Sequence, residues 1–321
     1  MDLDICLCTR DPRPGILSLA IQSLARQGVA PGTFQVIVVD NGSTPPLGEE
    51  LLAPLRAAGH PARLTLEERP GLTAARLHAI SLTSAPWMLF IDDDNELDDD
   101  FVAVGLEFIR SRDDLGCFGG RLLLPDSVTP PRWAEPLLPW LGIKNAGPEV
   151  ITGAAERWGP WEPPGAGLWI RRTQLEAYRA LLAADARAFE LGRRGRDGLA
   201  SCEDSLMARQ SVALGLINAY NPRLALRHHL APERFRLGYV LRLMRGYGES
   251  QALLEAILAR KRGEALELPE PYCNTARFLR RLASAFNQAR KRSWRWALAT
   301  TVHQWTTWRA LKRNARTCGG E

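Results

Sequence analysis

One stretch of the chain, in which an apolar run turns directly into acidic residues, restricts the possible folds most strongly. Residues 87–91 are all apolar, and Asp92, Asp93, Asp94 and Asn95 follow at once. A short apolar run is typical of a strand that is buried on both faces, as the strands of parallel sheets are. Such a strand delivers its last residues to the crevice beyond the carboxyl edge of the sheet, where α/β proteins bind ligands. The stretch therefore predicts a buried strand with a ligand site at its end.

The three consecutive carboxylates indicate either a metal site or an acidic turn. Adjacent aspartates repel one another, and a cation held between them would offset this repulsion. Oxygen ligands suit hard ions, so a site here is expected to hold Mg2+ or Mn2+. A solvated acidic turn is the alternative, since seven of the nine residues from 92 to 100 are acids.

Length and composition are those of an ordinary soluble protein of about two domains. The chain has 321 residues, of which 45% are hydrophobic and 24% are charged. No apolar run reaches the ~18 residues that span a bilayer, and the first residues do not resemble a signal peptide, so a cytoplasmic location is expected. The six cysteines are scattered without a CxxC pair, which argues against a zinc site or a disulfide framework.

Charge is distributed unevenly along the chain. Residues 277–321 contain eleven Lys or Arg and one acid, a net charge of +10. Residues 1–276 contain 30 basic and 35 acidic residues, a net charge of −5. An acidic body with a basic tail points to contact between the tail and an anionic surface, either a membrane or a nucleic acid.

The first third of the chain alternates between strand-like and helix-like patterns. Strands are predicted at residues 5–9, 35–39 and 87–91, and helices at residues 16–28 and 71–84. This alternation predicts an α/β fold with a mostly parallel central sheet flanked by helices. The dinucleotide fingerprint G-x-G-x-x-G and the phosphate loop G-x-x-x-x-G-K-[ST] are both absent after the first strand. An NAD-dependent dehydrogenase and a P-loop ATPase are therefore disfavoured.

Four short motifs at the predicted strand ends carry a family resemblance. They are Thr9-Arg10-Asp11, residues 39–43 (Val-Asp-Asn-Gly-Ser), residues 71–76 (Gly-Leu-Thr-Ala-Ala-Arg) and residues 90–95 (Phe-Ile-Asp-Asp-Asp-Asn). In this order the chain resembles the donor half of family 2 glycosyltransferases, whose fold is called GT-A. The resemblance implies a metal-dependent, inverting enzyme that moves a sugar from a nucleotide diphosphate sugar, with a UDP-sugar favoured, to a saccharide or lipid-linked acceptor.

The same resemblance implies roles for individual residues. Asp40 would read the base, Asp92 would contact the ribose, and Asp94 would bind the metal that bridges the diphosphate. The other donor-binding residues that it implies are Thr9, Arg10, Asp11, Gly71, Arg76 and Asp93. Asp11 departs from the Asn that is frequent in the family, and Arg76 has an alternative as a residue of a helix surface. If the strand geometry persists, Asp93 points away from its neighbours and would matter less, or would anchor a basic group such as Arg76.

Composition changes between residues 125 and 169, which hold nine of the 22 prolines and five of the ten tryptophans. Because disordered segments are poor in aromatic residues, an ordered binding loop is predicted. Trp161 and Trp169 are candidates for stacking on the acceptor, with packing of this irregular region as the alternative. Gly167 lies in a stretch that resembles the family's glycine-containing strand, where a missing side chain would let the donor sugar approach the backbone.

The pair Glu203-Asp204 opens a predicted helix, after a loop that is predicted at residues 192–198. Acids in a first turn are stabilised by the helix dipole, so helix capping is the alternative to a chemical role. In the family that the chain resembles, this pair includes the catalytic base. Asp204 would therefore accept the proton of the acceptor hydroxyl, and Glu203 would position the acceptor or the donor sugar.

His228 and His229 stand out because the chain has only five histidines. The resemblance implies that a His followed six residues later by an Arg completes the metal site or contacts the diphosphate. His228 and Arg234 have this spacing, and His229 is the other candidate. A structural role is the alternative for either histidine.

Three parts are expected along the chain. Residues 1–124 form the nucleotide-sugar half, residues 125–235 form the acceptor-binding and catalytic half of the same GT-A domain, and residues 236–321 form a basic helical extension. Apolar residues of the extension recur at helical spacing and form one stripe: Trp294, Leu298, Val302, Trp305, Trp308 and Leu311. The stripe predicts a helix that lies on an anionic membrane at the inner face of the cell membrane, or one that packs against the body or a partner. Nucleic acid is not expected as a partner.

Two other functions remain open at this point. A sugar nucleotidyltransferase also presents a nucleotide and a metal on a similar sheet, but it normally needs a glycine-rich basic loop that residues 9–12 do not supply. A binding protein without catalytic activity, recruited to a membrane by its tail, would not need to keep every acidic position.

Overall fold

The computed structural model describes residues 1–154, 157–193 and 199–318. Positions 194–198 of the predicted loop lie outside the described residues. The chain divides into two compact units. The first unit consists of residues 1–128, 142–181 and 203–230, and the second of residues 129–141, 182–202 and 231–321.

A nine-stranded sheet forms the centre of the first unit. The strands are β1 Leu3–Thr9, β2 Phe34–Asp40, β3 Ala62–Leu66, β4 Trp87–Asp92, β5 Asn95–Leu97, β6 Leu115–Leu123, β7 Ile151–Gly153, β8 Leu168–Arg171 and β9 Ile217–His228. Their order across the sheet is β3-β2-β1-β4-β8-β6-β9-β5, and β7 pairs with β9. The four strands β3, β2, β1 and β4 are parallel, as are β6 and β9, while β5, β7 and β8 pair antiparallel with their neighbours. The predicted α/β class is confirmed.

Seven α-helices of the described chain accompany this sheet. They are α1 Pro14–Ala25, α2 Ala53–Ala57, α3 Leu72–Ser81, α4 Phe101–Ser111, α5 Arg172–Ala184, α6 Glu203–Ala208 and α7 Gln210–Ala213. The last three residues of α5 belong to the second unit. Leu17, Ile21 and Leu24 of α1 and Phe101 of α4 join the apolar core that the sheet strands form. Every residue of β1 is buried, as are the first five residues of β4, which explains why these strands read as continuous apolar runs.

The second unit is helical in its described residues. Its α-helices are α8 Leu237–Arg262, α9 Thr275–Ala289 and α10 Trp294–Cys318, and 3-10 helices form at Glu135–Leu141, Ala186–Leu191 and Pro232–Phe235. One small core contains Leu137, Val240, Met244 and Ala299, and another contains Ala252, Ala310 and Leu311. Among the described residues, no helix combines the length and the apolar character that a membrane crossing requires.

The apolar stripe predicted for α10 is largely used for packing inside the second unit. Val302 packs against the first of the two small cores, and Leu311 belongs to the other. Trp308 stacks on Phe278 of α9 with the ring centroids 4.9 Å apart. Trp294 remains 57% exposed. The alternative of packing on the protein body therefore accounts for most of the stripe.

Candidate active site

The loops that follow β1 and β2 are tied together at the carboxyl edge of the sheet. The buried carboxylate of Asp40 accepts hydrogen bonds from the backbone N–H groups of Ser43 at 2.8 Å and Leu47 at 3.1 Å. Asp11 donates its backbone N–H to the hydroxyl oxygen of Ser43 at 2.9 Å and accepts a hydrogen bond from the N–H of Thr44 at 2.9 Å. These bonds give both loops a fixed geometry where the base of a donor is expected.

Asn41 fixes the start of α3. Its amide group donates to the carbonyl oxygens of Glu67 at 2.8 Å and Arg69 at 2.7 Å, and its Oδ1 accepts the N–H of Gly71 at 2.7 Å. Gly71 precedes the helix with a φ of 128°, a conformation that favours glycine. The predicted donor residue Gly71 thus lies at a turn that aims α3, and with it Arg76, into the site.

Arg76 is a buried cation among acidic groups, so it is not a residue of a helix surface. Its side chain is 4% exposed, with Nη1 3.4 Å from Oε2 of Glu203 and Nη2 3.9 Å from Oδ1 of Asp92. The guanidinium also lies over the ring of Phe90, 5.1 Å from its centroid. Burial alone lowers the pKa of Arg76, but the carboxylates of Glu203 and Asp92 outweigh burial and raise it. Arg76 therefore links the end of β4 to the start of α6.

Glu203 is held in place by two partners. Its Oε1 accepts the hydroxyl of Tyr178 from α5 at 3.1 Å, and its Oε2 faces Arg76. Burial raises the pKa of the Glu203 carboxyl, although Arg76 and Tyr178 favour its charged form. With both oxygens engaged, this carboxyl orients its neighbours.

Asp204 is half-buried in the first turn of α6. Its Oδ2 accepts the N–H of Gly165 at 2.8 Å, and its Oδ1 accepts the N–H of Ser205 at 2.9 Å. A Cβ atom on Gly165 would lie 2.8 Å from Nη2 of Arg76, so glycine lets this loop approach the guanidinium. Asp204 thus lies beside Arg76, with a defined orientation and partial access to solvent.

The pairing of β5 with β9 brings His228 to Asp94. Asn95 lies opposite His228 in the antiparallel register, and Nε2 of His228 is 3.2 Å from Oδ1 of Asp94. The other ring nitrogen, Nδ1, lies 3.2 Å from the carbonyl oxygen of Gly142. When Nδ1 carries the proton it donates to this carbonyl, and Nε2 then directs a lone pair toward Asp94, as metal-binding histidines do.

Asp94 and His228 fit a divalent metal ion as two of its ligands. Neighbouring ligands of an octahedral Mg2+ ion with bonds of 2.0–2.1 Å lie about 3 Å apart, and the two atoms here are 3.2 Å apart. Within the described chain, no group of three or more His, Cys, Asp or Glu side chains could hold a metal, so further ligands would come from a diphosphate and water. Nε2 of His229 instead contacts Oε2 of Glu96 at 2.8 Å, and His228 is the histidine beside Asp94.

Three further residues that were predicted to bind the donor differ in burial and in the unit to which they belong. Thr9 ends β1, is buried, and hydrogen-bonds through its hydroxyl to the carboxylate of Asp93. Arg10 follows it and is exposed. Arg234 belongs to the second unit, in the 3-10 helix Pro232–Phe235. The roles of these residues stay predictions.

The structure corrects two assignments in the tryptophan-rich region. Trp169 is 0% exposed and stacks on Phe118 at 5.4 Å, and a Cβ atom on Gly105 would lie 2.1 Å from its ring, so it fills the core and cannot stack on an acceptor. Gly167 has a φ of 70°, and its Cβ would lie 2.7 Å from Cδ2 of Leu226. Core side chains, and not a donor sugar, occupy the space beside Gly167.

The other tryptophans of this region differ in exposure. Trp161 is half-buried, and Cβ atoms on Gly153 and Gly159 would lie 2.4 Å and 2.3 Å from its ring. Trp158 is 48% exposed and lies over the guanidinium of Arg209, 5.7 Å from the ring centroid. The sequence did not distinguish Trp158 from the other tryptophans of the segment, yet it offers the larger open face.

A buried charged cluster near Asp204 was missed by sequence reasoning. Oε2 of Glu162 lies 3.5 Å from Nε of Arg209, and Lys144 donates to the carbonyl oxygen of Glu162 at 2.6 Å. Burial raises the pKa of Glu162 to about 7, and the charge of Asp204 acts in the same direction. Burial lowers the pKa of Lys144 to about 8. No local pattern marks these residues, because only the folded chain brings them together.

Comparisons with known proteins identify the family of the chain and a protein of similar fold. The family described as glycosyl transferase family 2 matches residues 5–178. The mannosyltransferase PcManGT from Pyrobaculum calidifontis, solved with GDP-Man and Mn2+, has a similar fold, with a TM-score of 0.53 and 15% identity over 98% of this chain and 86% of that one. TarS of S. aureus matches with a TM-score of 0.49 and 14% identity over 97% of this chain and 55% of TarS, so the chain spans about half the length of TarS. No curated protein matches the chain.

Proposed function

The chain belongs to glycosyl transferase family 2, and from this premise we propose that it moves a sugar from a nucleotide diphosphate sugar to an acceptor hydroxyl, with inversion at the anomeric carbon and with Mg2+ or Mn2+. The observation that carries the proposal is the buried contact of 3.4 Å between Arg76 and Glu203. It joins the Glu203-Asp204 pair to the strand-end carboxylates. A UDP-sugar is the favoured donor.

Asp204 is the proposed base. Its carboxylate accepts the proton of the acceptor hydroxyl while that oxygen attacks the anomeric carbon and the nucleoside diphosphate leaves. The N–H groups of Gly165 and Ser205 orient both oxygens of the carboxylate. Since each oxygen can accept a second hydrogen bond, this orientation leaves room for the acceptor. Glu203, fixed by Tyr178 and Arg76, positions the reacting groups.

On the donor side, Asp40 recognises the base and Asp92 the ribose. Asp94 and His228 hold the metal ion, which when bound supplies positive charge to the leaving diphosphate. Residues 1–124 act as the donor half and residues 125–235 as the acceptor and catalytic half, which also supplies His228 to the metal, while residues 236–321 act as the extension.

On the acceptor side, the open face of Trp158 and the half-buried Trp161 support a saccharide or lipid-linked acceptor. Trp294 lies exposed beside the exposed residues 290–292, which are all basic. This combination supports binding to an anionic membrane at its cytoplasmic face.

The change Asp204→Asn tests the proposed base. The amide keeps the size of the side chain but cannot take the proton, so we expect transfer to fall by roughly 10²–10⁴ while donor binding stays intact. Release of nucleoside diphosphate reports transfer, and the thermal shift with Mn2+ and donor reports binding. The exposed Asp126, changed to Asn, serves as the matched control. Full transfer activity in Asp204→Asn would contradict the assignment.

A further inference from the structure

A cavity of about 660 Å³ lies in the second unit, lined by α8, α10 and the residues on either side of positions 194–198. Among the described residues, its charged lining consists of Arg187, Glu190, Arg242, Arg245, Glu249 and Arg313. The four arginines and two glutamates of this described lining have a formal charge of +2. None of the residues assigned above to donor binding or catalysis lines this cavity.

The wall that α8 contributes is built by close packing. A Cβ atom on Gly246 would lie 2.1 Å from the carbonyl oxygen of Leu199, so only a glycine allows this approach without a backbone shift. One turn later, Ser250 accepts the N–H of Ser201 at 3.0 Å through its hydroxyl oxygen. Together these contacts hold the chain near residue 200 against the helix and give the cavity a defined edge.

The four arginines of the cavity differ in whether their side chains already form ion pairs with carboxylates. Nη2 of Arg187 pairs with Oδ2 of Asp185 at 2.7 Å, and Nε of Arg245 lies 3.3 Å from Oε1 of Glu249. Arg242 and Arg313 have neither a hydrogen bond nor an ion pair of their side chains within the described chain. Their guanidinium groups present planar forks of N–H donors that match the geometry of phosphate oxygens.

We propose that this cavity binds the phosphate group of a phosphorylated ligand through Arg242 and Arg313, with Arg245 and Arg187 adding positive charge. A phosphate monoester carries about −1.5 to −2 charges at pH 7 and balances the lining, whereas a carboxylate balances half of it. The phosphate belongs either to an anionic lipid headgroup or to a soluble phosphate compound. The site is separate from the proposed donor site and does not depend on the assignment of that site.

Thermal unfolding of the full chain in inorganic phosphate tests the site, with EDTA present and ionic strength held constant with chloride. We expect the midpoint to rise and saturate in the unmodified protein, because phosphate binds the native state. In Arg242→Gln/Arg313→Gln the apparent dissociation constant should be weaker by at least about tenfold. The matched control Arg280→Gln/Arg281→Gln removes two exposed charges of the same unit and should keep the response, as should Asp94→Asn. The melting curve of each variant without phosphate shows that it is folded, and Arg242→Gln alone replaces the double variant if that one is not.

Vesicles distinguish the two sources of the phosphate. The comparison uses phosphatidylcholine vesicles that carry equal fractions of phosphatidic acid or of phosphatidylglycerol. If Arg242→Gln/Arg313→Gln selectively loses co-sedimentation with phosphatidic acid, the source is a lipid headgroup. If it loses only the response to inorganic phosphate, the source is soluble. An equal phosphate response in the unmodified chain and in both double variants, or equal stabilisation by acetate, overturns the proposal.

Discussion

At the scale of single residues, Glu162 couples protonation to folding. Burial raises the pKa of this carboxyl from 4.5 to about 7. Between these values the folded chain binds more protons than the unfolded chain, so the free energy of unfolding falls as the pH rises. Lys144 acts in a separate window. Burial lowers its pKa from 10.5 to about 8, and its contribution rises as the pH increases from 8 to 10.5.

The change Glu162→Gln should remove the contribution of this carboxyl to the pH dependence of stability between pH 4.5 and 7. As the pH rises from 4.5 to 7, the free energy of unfolding of the variant minus that of the unmodified protein should increase by on the order of 3 kcal/mol. The reason is that each pKa unit is worth about 1.36 kcal/mol. Urea denaturation across this range measures the difference. The exposed Glu233, changed to Gln, should leave the pH profile unchanged. Parallel profiles for the unmodified protein and Glu162→Gln would show that Glu162 does not titrate in this window.

Trp158 and Trp169 provide a second comparison between single residues. Trp158→Ala removes an exposed face that we propose for the acceptor, so the KM for a saccharide acceptor should rise roughly fivefold to tenfold with little change in stability. Trp169→Phe shrinks a fully buried ring and should lower the melting temperature without changing that KM. Initial rates over a range of acceptor concentrations measure the effect. An unchanged KM in Trp158→Ala would remove this residue from the acceptor site.

At the scale of secondary structure, long periodic elements could be predicted from the sequence and short ones could not. The helix predicted for residues 16–28 is α1 Pro14–Ala25, and the strand predicted for residues 35–39 is β2 Phe34–Asp40. The strand β9 Ile217–His228 runs through Asn221-Pro222, a dipeptide that is typical of turns, and its register with β6 shifts there. The three-residue β5 has no pattern of its own and forms because β9 pairs with it.

The same difference explains which parts of the candidate site could be predicted from the sequence. The strand-end carboxylates follow from local patterns, as does the first turn of α6. The contact between Asp94 and His228 depends on β5 and β9, which are far apart in the chain, so only the family's spacing pointed to it. Glu162, Arg209 and Lys144 meet through irregular segments and left no pattern to read.

The exposed residues 290–292 and Trp294, at the start of α10, allow a test of membrane binding. Changing Trp294 to Ala and the basic residues 290–292 to Gln removes an exposed ring and three charges, and each such charge is worth about 1 kcal/mol at an anionic surface. We therefore expect co-sedimentation with phosphatidylglycerol vesicles to weaken by at least about tenfold while stability holds. In the control Trp308→Ala, loss of the stacking on Phe278 should lower the melting temperature instead. Unchanged vesicle binding would contradict a membrane role for this surface.

At the scale of the whole molecule, the two units explain why the basic tail could not be interpreted from its sequence alone. The periodicity of α10 shows an apolar stripe but not what covers it. In the structure, α8 and α9 cover most of the stripe, and the small cores of the second unit need residues from α10. Deleting the chain from residue 272 onward would open these cores, so substitutions on the exposed surface test the tail more cleanly than truncation does.

Binding of the donor should raise the stability of the whole chain against unfolding. A nucleotide sugar that binds only the folded protein raises the free energy of unfolding by about 2.7 kcal/mol at 100 times its Kd. With Mn2+ present, we expect one class of nucleotide sugar to raise the unfolding temperature, and comparison of UDP-sugars with GDP-sugars identifies the base. EDTA or Asp94→Asn should abolish the shift, because Asp94 lies 3.2 Å from His228 where a metal ion fits, while Asp126→Asn should retain it. Equal stabilisation in EDTA would show that donor binding needs no metal. Absence of stabilisation by every nucleotide sugar would contradict the proposed donor class itself, because ligand linkage operates whether or not an acceptor is present.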